Sequence, residues 1–320
     1  MPFDGVNRQS LPLPATYNSL DYKEIKVSHV PASSKEPTPI LLVTLYRPKN
    51  YNAFTLTMMK ELEHIFTLID VDDRVKCAVV TGDGRMFCAG ADLSVGFSGG
   101  KEDPREHRDG GGRVVLSIHR CRKPIIGALN GSAVGIGITM TLPMTIRIAY
   151  EGAKIGFVFA RRAIIMEACS SFFLPRLIGM SRALHLVTTG ATYPANHPLL
   201  SSLFSETLPK PEDVLPRALQ IAEEIVNNTS AVSTFLMRDM MYRDTGSAEA
   251  QHLLDSRLIY EMFSTKDNKE GVQAFLEKRP VKFEGTMQND SPKAWPWYQA
   301  VNTGNRPMAE GYDPLTKSKL

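Results

Sequence analysis

The chain has 320 residues, and its 43% hydrophobic content is ample for a packed globular core in one large domain or two smaller ones. Its 37 Lys and Arg against 34 Asp and Glu give a net charge of +3, too even a balance to indicate nucleic-acid binding. Its four cysteines form no Cys-x-x-Cys pair and no apolar run reaches 18 residues, which argues against a thiolate metal site, a disulfide framework and a membrane span.

Strand and helix patterns alternate through the first half of the chain, after a polar leader that we predict to be flexible over residues 1–20. Strand patterns occupy residues 24–30, 40–48, 76–84, 124–135 and 146–150. Helix patterns occupy residues 52–72, 116–123 and 136–146, and Pro143 is expected to bend the last of them. Strand, helix, strand order predicts parallel pairing and an α/β fold for residues 21–210.

The pattern of the sequence changes from Pro211 onward, where helix patterns replace the alternation of strands and helices. Four amphipathic segments follow one another with Ser, Thr, Gly or Asn between them, at residues 211–228, 230–244, 247–265 and 267–279. We predict a C-terminal helical region over residues 211–285. Met237, Met240 and Met241 line one face there, and we interpret them as core or subunit interface.

The end of the chain, residues 286–320, is rich in Pro and Gly and is predicted to be a loosely docked, extended tail. Its last three residues, Ser318, Lys319 and Leu320, match the peroxisomal targeting tripeptide. This indicates a peroxisomal location and the import receptor as a partner, although an ordinary solvated tail is the alternative.

Two glycine-rich turns, at residues 82–93 and 130–140, place small residues where a strand gives way to a helix. Such turns leave backbone N–H groups free to point at a ligand, because the first N–H groups of a helix lack internal partners. Neither turn has the spacing of a dinucleotide or Walker motif. Tight packing alone is the other explanation for each turn.

Together with residues 265–279, the stretches Phe-Cys-Ala-Gly-Ala-Asp-Leu (87–93) and Asn-Gly-Ser-Ala-Val-Gly (130–135) resemble the crotonase, or enoyl-CoA hydratase/isomerase, superfamily. The resemblance spans about residues 20–285. It implies a ββα spiral core and C-terminal helices that build trimers, often paired into hexamers. It also implies that the backbone N–H groups of Ala91 and Ile136 form an oxyanion hole for an acyl-CoA thioester. Further substrate-binding positions implied by the resemblance are Ala89, Gly90, Asp92, Leu93, Gly135, Gly137 and, near the CoA phosphates, Lys278.

Hydratases of this family use two glutamates, and this chain has Thr139 and Arg161 where the resemblance places them. Threonine is no base near neutral pH and arginine stays protonated, so two-acid water addition is disfavoured. The stretch 159–175 resembles instead the peroxisomal Δ3,Δ2-enoyl-CoA isomerases, whose single catalytic glutamate matches Glu167. An acid next to an apolar run more often points to solvent, but we expect Glu167 to be held among apolar side chains that raise its basicity, namely Ile164, Ile165, Met166, Phe172 and Phe173.

The sequence thus favours an isomerase that moves a 3-enoyl-CoA double bond to the trans-2 position. Asp92 is expected to fix its loop, and no metal or redox cofactor is expected because coenzyme A belongs to the substrate. Two alternatives stay open: a divergent hydratase acting on a branched or secondary-metabolite acyl-CoA, and an acyl-CoA-binding protein without turnover.

Overall fold

The computed structural model describes residues 11–95, 103–104 and 106–303, which contain two sheets and a set of helices. The strands are β1 (Ile25–His29), β2 (Ile40–Leu45), β3 (Cys77–Gly82), β4 (Met86–Cys88), β5 (Ile125–Leu129), β6 (Ser132–Val134), β7 (Ile146–Tyr150), β8 (Lys154–Gly156), β9 (Thr192–Pro194) and β10 (Glu206–Leu208). The first sheet has the order β1-β2-β3-β5-β7-β10 and the second the order β4-β6-β8-β9.

Helices fill the connections and follow the sheets in the chain. They are α1 (Leu56–Val71), α2 (Gly110–Arg120), α3 (Ile136–Thr139), α4 (Ser170–Ile178), α5 (Met180–Thr189), α6 (Pro211–Asn228), α7 (Ala231–Tyr242), α8 (Ala248–Met262) and α9 (Lys266–Glu277). Among the described residues, no helix combines the length and apolar character that crossing a bilayer needs.

The strand-helix-strand unit at the start of the fold shows how the sequence specifies it. Thr55 caps α1, because its Oγ1 accepts a hydrogen bond from the Met58 N–H at 3.1 Å. The apolar face of α1 is buried, and the crossover places β2 parallel to β3, as predicted. The core lies between this helix, α2 and the two sheets, while α6 covers the other face of the first sheet.

One predicted strand and one predicted helix differ from the structure next to the second glycine turn. The strand pattern at 124–135 divides at Asn130 into β5 and β6, which belong to different sheets. Asn130 stabilises this crossing, since its Oδ1 accepts from the Gly82 N–H at 3.2 Å and its Nδ2 donates to the Gly84 carbonyl at 2.9 Å. The helix predicted over 136–146 ends after Thr139 in short turns, and the buried guanidinium of Arg147 donates to the turn carbonyl of Met144 at 2.6 Å.

The leader and the tail are both tied to the fold where the structure describes them. Tyr17 is fully buried and its hydroxyl donates to Asp72 at 2.9 Å. The predicted flexible leader is therefore wrong around Tyr17. In the tail, the indole of Trp295 donates to Asp239 of α7 at 3.1 Å. Residues 1–10 and 304–320, the latter including the targeting tripeptide, lie outside the described residues.

Candidate active site

The two glycine turns lie side by side because the strands that precede them pair in the second sheet. Strand β4 runs parallel to β6, with Cys88 opposite Ala133. A Cβ placed on Gly90 would lie 2.9 Å from the Val134 carbonyl oxygen, and one on Gly137 would lie 2.3 Å from the Cys88 carbonyl oxygen. The turns therefore touch backbone to backbone, and only glycine fits at both contacts.

Each turn presents one backbone amide at the predicted position. The Ala91 segment is aligned by Phe54, whose N–H donates to the Gly90 carbonyl at 2.8 Å and whose carbonyl accepts from the Asp92 N–H at 2.9 Å. Ile136 is the first residue of α3, where helical N–H groups have no internal acceptor. Neither the Ala91 nor the Ile136 amide donates a hydrogen bond within the part of the chain that the structure describes. Two adjacent turns thus each leave one backbone donor unused, which is what an oxyanion hole requires.

Glu167 points inward, towards the short helix that carries one of these amides. Its half-buried carboxylate accepts a hydrogen bond from the hydroxyl of Thr139, one turn along α3 from Ile136, at 2.7 Å. Burial raises the pKa of Glu167 from 4.5 to about 7, the Thr139 hydroxyl lowers it, and the charge of Asp109 raises it again. A carboxyl group with this pKa can both take up and return a proton near neutral pH.

The surroundings of Glu167 are only partly the ones expected from the sequence. Ile165 is 86% exposed and Phe172 is 37% exposed, so they do not shield the carboxylate. Instead the carboxylate lies against the first turn of α2, where a Cβ placed on Gly111 would be 1.9 Å from Glu167 Oε2 and 2.7 Å from Ile136 Cδ1. The predicted flanking shell is therefore wrong for Ile165 and Phe172, whereas Phe173 is buried and Ile164 and Met166 are partly buried against the core. The groups from α2 and α3 that cover the carboxylate are distant in sequence and were not predicted.

The segment that carries Glu167 has an unusual backbone. Ala163, Ala168 and Cys169 all adopt positive φ, between +52° and +55°, although none is glycine. Each such residue costs about 1–3 kcal/mol, so the segment needs anchors to persist. The Ser170 hydroxyl donates to the Glu167 carbonyl at 2.6 Å, and Asp109 Oδ2 accepts from the Ala168 N–H at 3.1 Å.

Asp92 is part of an ion-pair network behind the first turn. Its Oδ2 is 2.9 Å from Arg47 Nη2, and its Oδ1 accepts from both the N–H and the hydroxyl of Ser94. These contacts hold the pKa of Asp92 below its usual range. Arg47 also pairs with Glu24 at 3.1 Å, so the network links the turn to the start of β1. This geometry suits a residue that fixes a loop.

The other predicted positions are placed as follows. Ala89 continues the first turn, where its N–H donates to the Tyr51 carbonyl at 3.0 Å, and Leu93 is exposed beyond it. Gly135 opens α3 with φ at +56°. Lys278 caps the end of α9 and is exposed, so its role towards phosphates stays a prediction. No group of three or more potential metal ligands occurs within the described ranges.

Two residues of the site were missed in the sequence: Asp109 and Gly111. Asp109 stands directly before three glycines that open α2, and an Asp at that position is a typical helix N-cap. That signal would have moved the start of α2 forward from residue 116 to 110. It would not have shown that the same turn contacts Glu167.

Comparison with known proteins identifies the family. Residues 35–286 match the family described as enoyl-CoA hydratase/isomerase. The chain belongs to the enoyl-CoA hydratase/isomerase family. Among its relatives, a protein named enoyl-CoA hydratase ACTT3 from Alternaria alternata is 51% identical over 79% of this chain and 85% of the relative. A protein named mevalonyl-coenzyme A hydratase SIDH from Beauveria bassiana is 31% identical over 76% of this chain and 91% of the relative.

Solved structures agree with this assignment. A probable enoyl-CoA hydratase/isomerase from Mycobacterium abscessus is 27% identical and superposes with a TM-score of 0.73, covering 79% of this chain and 98% of that one. An enoyl-CoA hydratase from Bacillus anthracis is 29% identical with the same TM-score, covering 82% of this chain and 100% of that one. The predicted α/β crotonase fold is therefore confirmed. The family explains the paired glycine turns, and it leaves the choice between isomerase and hydratase open.

Proposed function

We propose that this enzyme is an isomerase that converts a 3-enoyl-CoA to the trans-2-enoyl-CoA. The observation that carries the proposal is the single inward-facing carboxylate of Glu167, with a pKa near 7, beside two unused backbone amides. A 1,3-proton shift needs one group that is base and then acid, and this carboxylate suits both roles.

The reaction can be written with these groups alone. With the thioester oxygen between the Ala91 and Ile136 amides, Glu167 takes a proton from C2, and the electrons of that C–H bond form a dienolate whose charge rests on the oxygen. The two amides stabilise that charge more than they stabilise the neutral carbonyl. Glu167 then delivers the proton to C4, which moves the double bond from C3–C4 to C2–C3. One such donor is typically worth about 2.7–4 kcal/mol.

The residues at the positions of the hydratase glutamates support isomerisation. Thr139 is fully buried and its hydroxyl is used as a donor to Glu167, so it holds no proton to exchange with a substrate. Arg161 is exposed and its Nε donates to the Thr189 carbonyl at 3.0 Å. Neither side chain can activate a water molecule.

Hydration is the second candidate, because the relatives at 51% identity are named enoyl-CoA hydratases. In that case Glu167 would activate the water, and a second group or the water itself would supply the proton at the α carbon. The name mevalonyl-coenzyme A hydratase, carried by a relative, makes branched acyl groups relevant test substrates.

A substrate panel separates the candidates. The purified enzyme is incubated with straight and branched 3-enoyl-CoA and 2-enoyl-CoA esters, and products are followed by mass and by the absorbance of the conjugated thioester. Isomerisation gives a product of unchanged mass from 3-enoyl-CoA with a gain in that absorbance. A product heavier by one water from 2-enoyl-CoA, with no turnover of 3-enoyl-CoA, contradicts the proposal. Tight binding of both esters without any product would instead favour the acyl-CoA-binding alternative.

Substrate contacts beyond the hole are part of the proposal. We assign the first turn, from Ala89 to Leu93, and the second, from Gly135 to Gly137, to the thioester and the adjoining pantetheine, with Lys278 towards the phosphates. The close approach of Gly90 to the Val134 carbonyl supports this assignment, since it holds the two turns against each other.

Assembly and location are also proposed. Large apolar side chains are exposed on the C-terminal helices, a surface suited to the trimers or hexamers inferred from the family resemblance: Met237, Met241, Leu253, Tyr260, Phe275 and Leu276. Light scattering on the purified chain would test this. A peroxisomal location rests on Ser318, Lys319 and Leu320, and loss of peroxisomal import on their deletion would test it.

A further inference from the structure

Asp109 is an exposed side chain at the N-terminus of α2, and it contacts two separate parts of the chain. Its Oδ2 accepts from the Gly112 N–H at 2.6 Å, which caps the helix, and from the Ala168 N–H at 3.1 Å, next to Glu167. One carboxylate oxygen therefore joins the first turn of α2 to the segment that carries the glutamate.

The two parts of the chain that Asp109 connects, the first turn of α2 and the segment around Ala168, also determine where the Glu167 side chain lies. On the α2 side, Gly111 lies so close to Glu167 Oε2 that no side-chain atom fits between them. On the other side, Ala168 has a φ of +55°, a conformation that an alanine keeps only when its neighbours hold it. Thr139 fixes the carboxylate from a third direction.

We propose that Asp109 is a positioning residue for Glu167, acting by tethering the glutamate segment to α2 and by placing a second negative charge beside the carboxylate. Only the expected effect of Asp109 on catalysis rests on the proposed function. The tether and the charge effect are properties of the folded protein, and they can be measured without turnover.

The other titratable groups that face Glu167 do not change their charge in the pH range where Glu167 titrates, so the effect of Asp109 on the pKa of Glu167 can be measured separately. Cys88 on β4 and Cys169 on the glutamate's own segment both interact with Glu167, and burial raises their pKa values to about 12 and about 11. Both thiols are therefore neutral between pH 5 and pH 9. Thr139, from α3, contributes a hydrogen bond without a charge of its own.

Two substitutions separate the tether from the charge. Asp109→Asn retains a carbonyl oxygen that can accept from the Ala168 N–H but removes the charge. Asp109→Ala removes both. Asp244→Asn is the matched control, because Asp244 is also exposed and also accepts a backbone N–H, from Gly246 at 2.9 Å, in the loop after α7.

The first measurement is a pH titration of ¹³C-labelled glutamate carboxyl groups by NMR, with the signal of Glu167 assigned by its loss in Glu167→Gln. Because the charge of Asp109 raises the pKa of Glu167, we expect a lower midpoint in Asp109→Asn than in the parent. Asp244→Asn should leave the midpoint unchanged. An unchanged midpoint in Asp109→Asn overturns the proposal, and this result stands even if Asp109→Ala fails to fold.

The second measurement is turnover of 3-enoyl-CoA. We expect the acidic limb of the pH profile of kcat/KM to move to lower pH in Asp109→Asn. In Asp109→Ala, kcat should fall roughly tenfold to hundredfold, as for a misplaced catalytic group, with KM changed by no more than about twofold. Parent-like kcat in a folded Asp109→Ala contradicts the positioning role. If the parent itself lacks isomerase activity, the proposed function fails while the titration still decides the role of Asp109.

Discussion

Gly111→Ala is the substitution for which the structure gives the sharpest expectation. The new Cβ would lie 1.9 Å from Glu167 Oε2, and Cβ atoms essentially never come within 3.0 Å of another heavy atom. The carboxylate must therefore move by about 1 Å or more, away from α2. A displacement of about 1 Å in a catalytic group can cost roughly 100-fold in rate.

The same substitution should not unfold the protein. Gly111 has no positive φ, so alanine is compatible with its backbone, and alanine in a helix is favoured over glycine by up to about 1 kcal/mol. The strain falls on the ends of two side chains, the Glu167 carboxylate and Ile136 Cδ1, and side-chain rotation can relieve it without moving the backbone. We therefore expect a large loss of kcat together with a thermal midpoint close to that of the parent.

Gly110→Ala is the control for this experiment. It changes the neighbouring residue in the same turn, and its Cβ would approach only the flexible side chain of Met59, with the thioether sulfur at 2.8 Å. Both variants would be compared with the parent in steady-state turnover of 3-enoyl-CoA and in thermal unfolding. A folded Gly111→Ala with turnover within about twofold of the parent would contradict a displaced Glu167 carboxylate. So would a Gly110→Ala variant that loses as much activity as Gly111→Ala.

Three further expectations follow from the site. Thr139→Val removes a donor that lowers the pKa of Glu167, so the acidic limb of the pH profile should move to higher pH; a shift in the other direction would contradict this. Glu167→Gln should make the protein more stable at pH 8. The raised pKa means that the Glu167 carboxyl binds its proton more tightly in the folded state than in the unfolded state, so the parent loses stability as the pH rises from 4.5 to about 7. Denaturant unfolding at pH 5 and pH 8 would measure the gain in free energy of unfolding, which is at most about 3 kcal/mol at pH 8 and should vanish at low pH. Arg47→Met should free Asp92 and the first turn and lower kcat/KM by about tenfold, whereas an exposed-site Arg257→Met should not change it.

Local patterns in the sequence predicted most of the core, and physical reasons explain why. The helix pattern at 52–72 and the strand patterns on either side depend on residues within one window, and the structure contains α1, β2 and β3 there. The paired glycine turns were also predictable, because small residues at the ends of two strands leave few alternatives. Their side-by-side placement then depends only on the pairing of β4 with β6.

The sequence predictions that differ from the structure concern features that depend on contacts between residues distant in the chain. Nothing in residues 136–146 shows that Arg147 will donate to the turn carbonyls after α3, and the helix was predicted seven residues too long. The sequence predicted an acid at 167 that faces inward, but it did not predict that Gly111, 56 positions away, lies against that carboxylate. The spacing of apolar residues indicates which face of a helix or strand is apolar, but it does not indicate which other element covers that face.

Turnover of 3-enoyl-CoA by Glu167→Gln decides whether this carboxylate moves the proton. Glutamine has nearly the same shape and can still contact Thr139, but it cannot take up the C2 proton. We expect a folded variant that still binds the substrate and whose activity is at least roughly 100-fold below that of the parent. Glu223→Gln, on the exposed face of α6, should match the parent. Isomerisation by folded Glu167→Gln at the parental rate would contradict the claim that this carboxylate moves the proton.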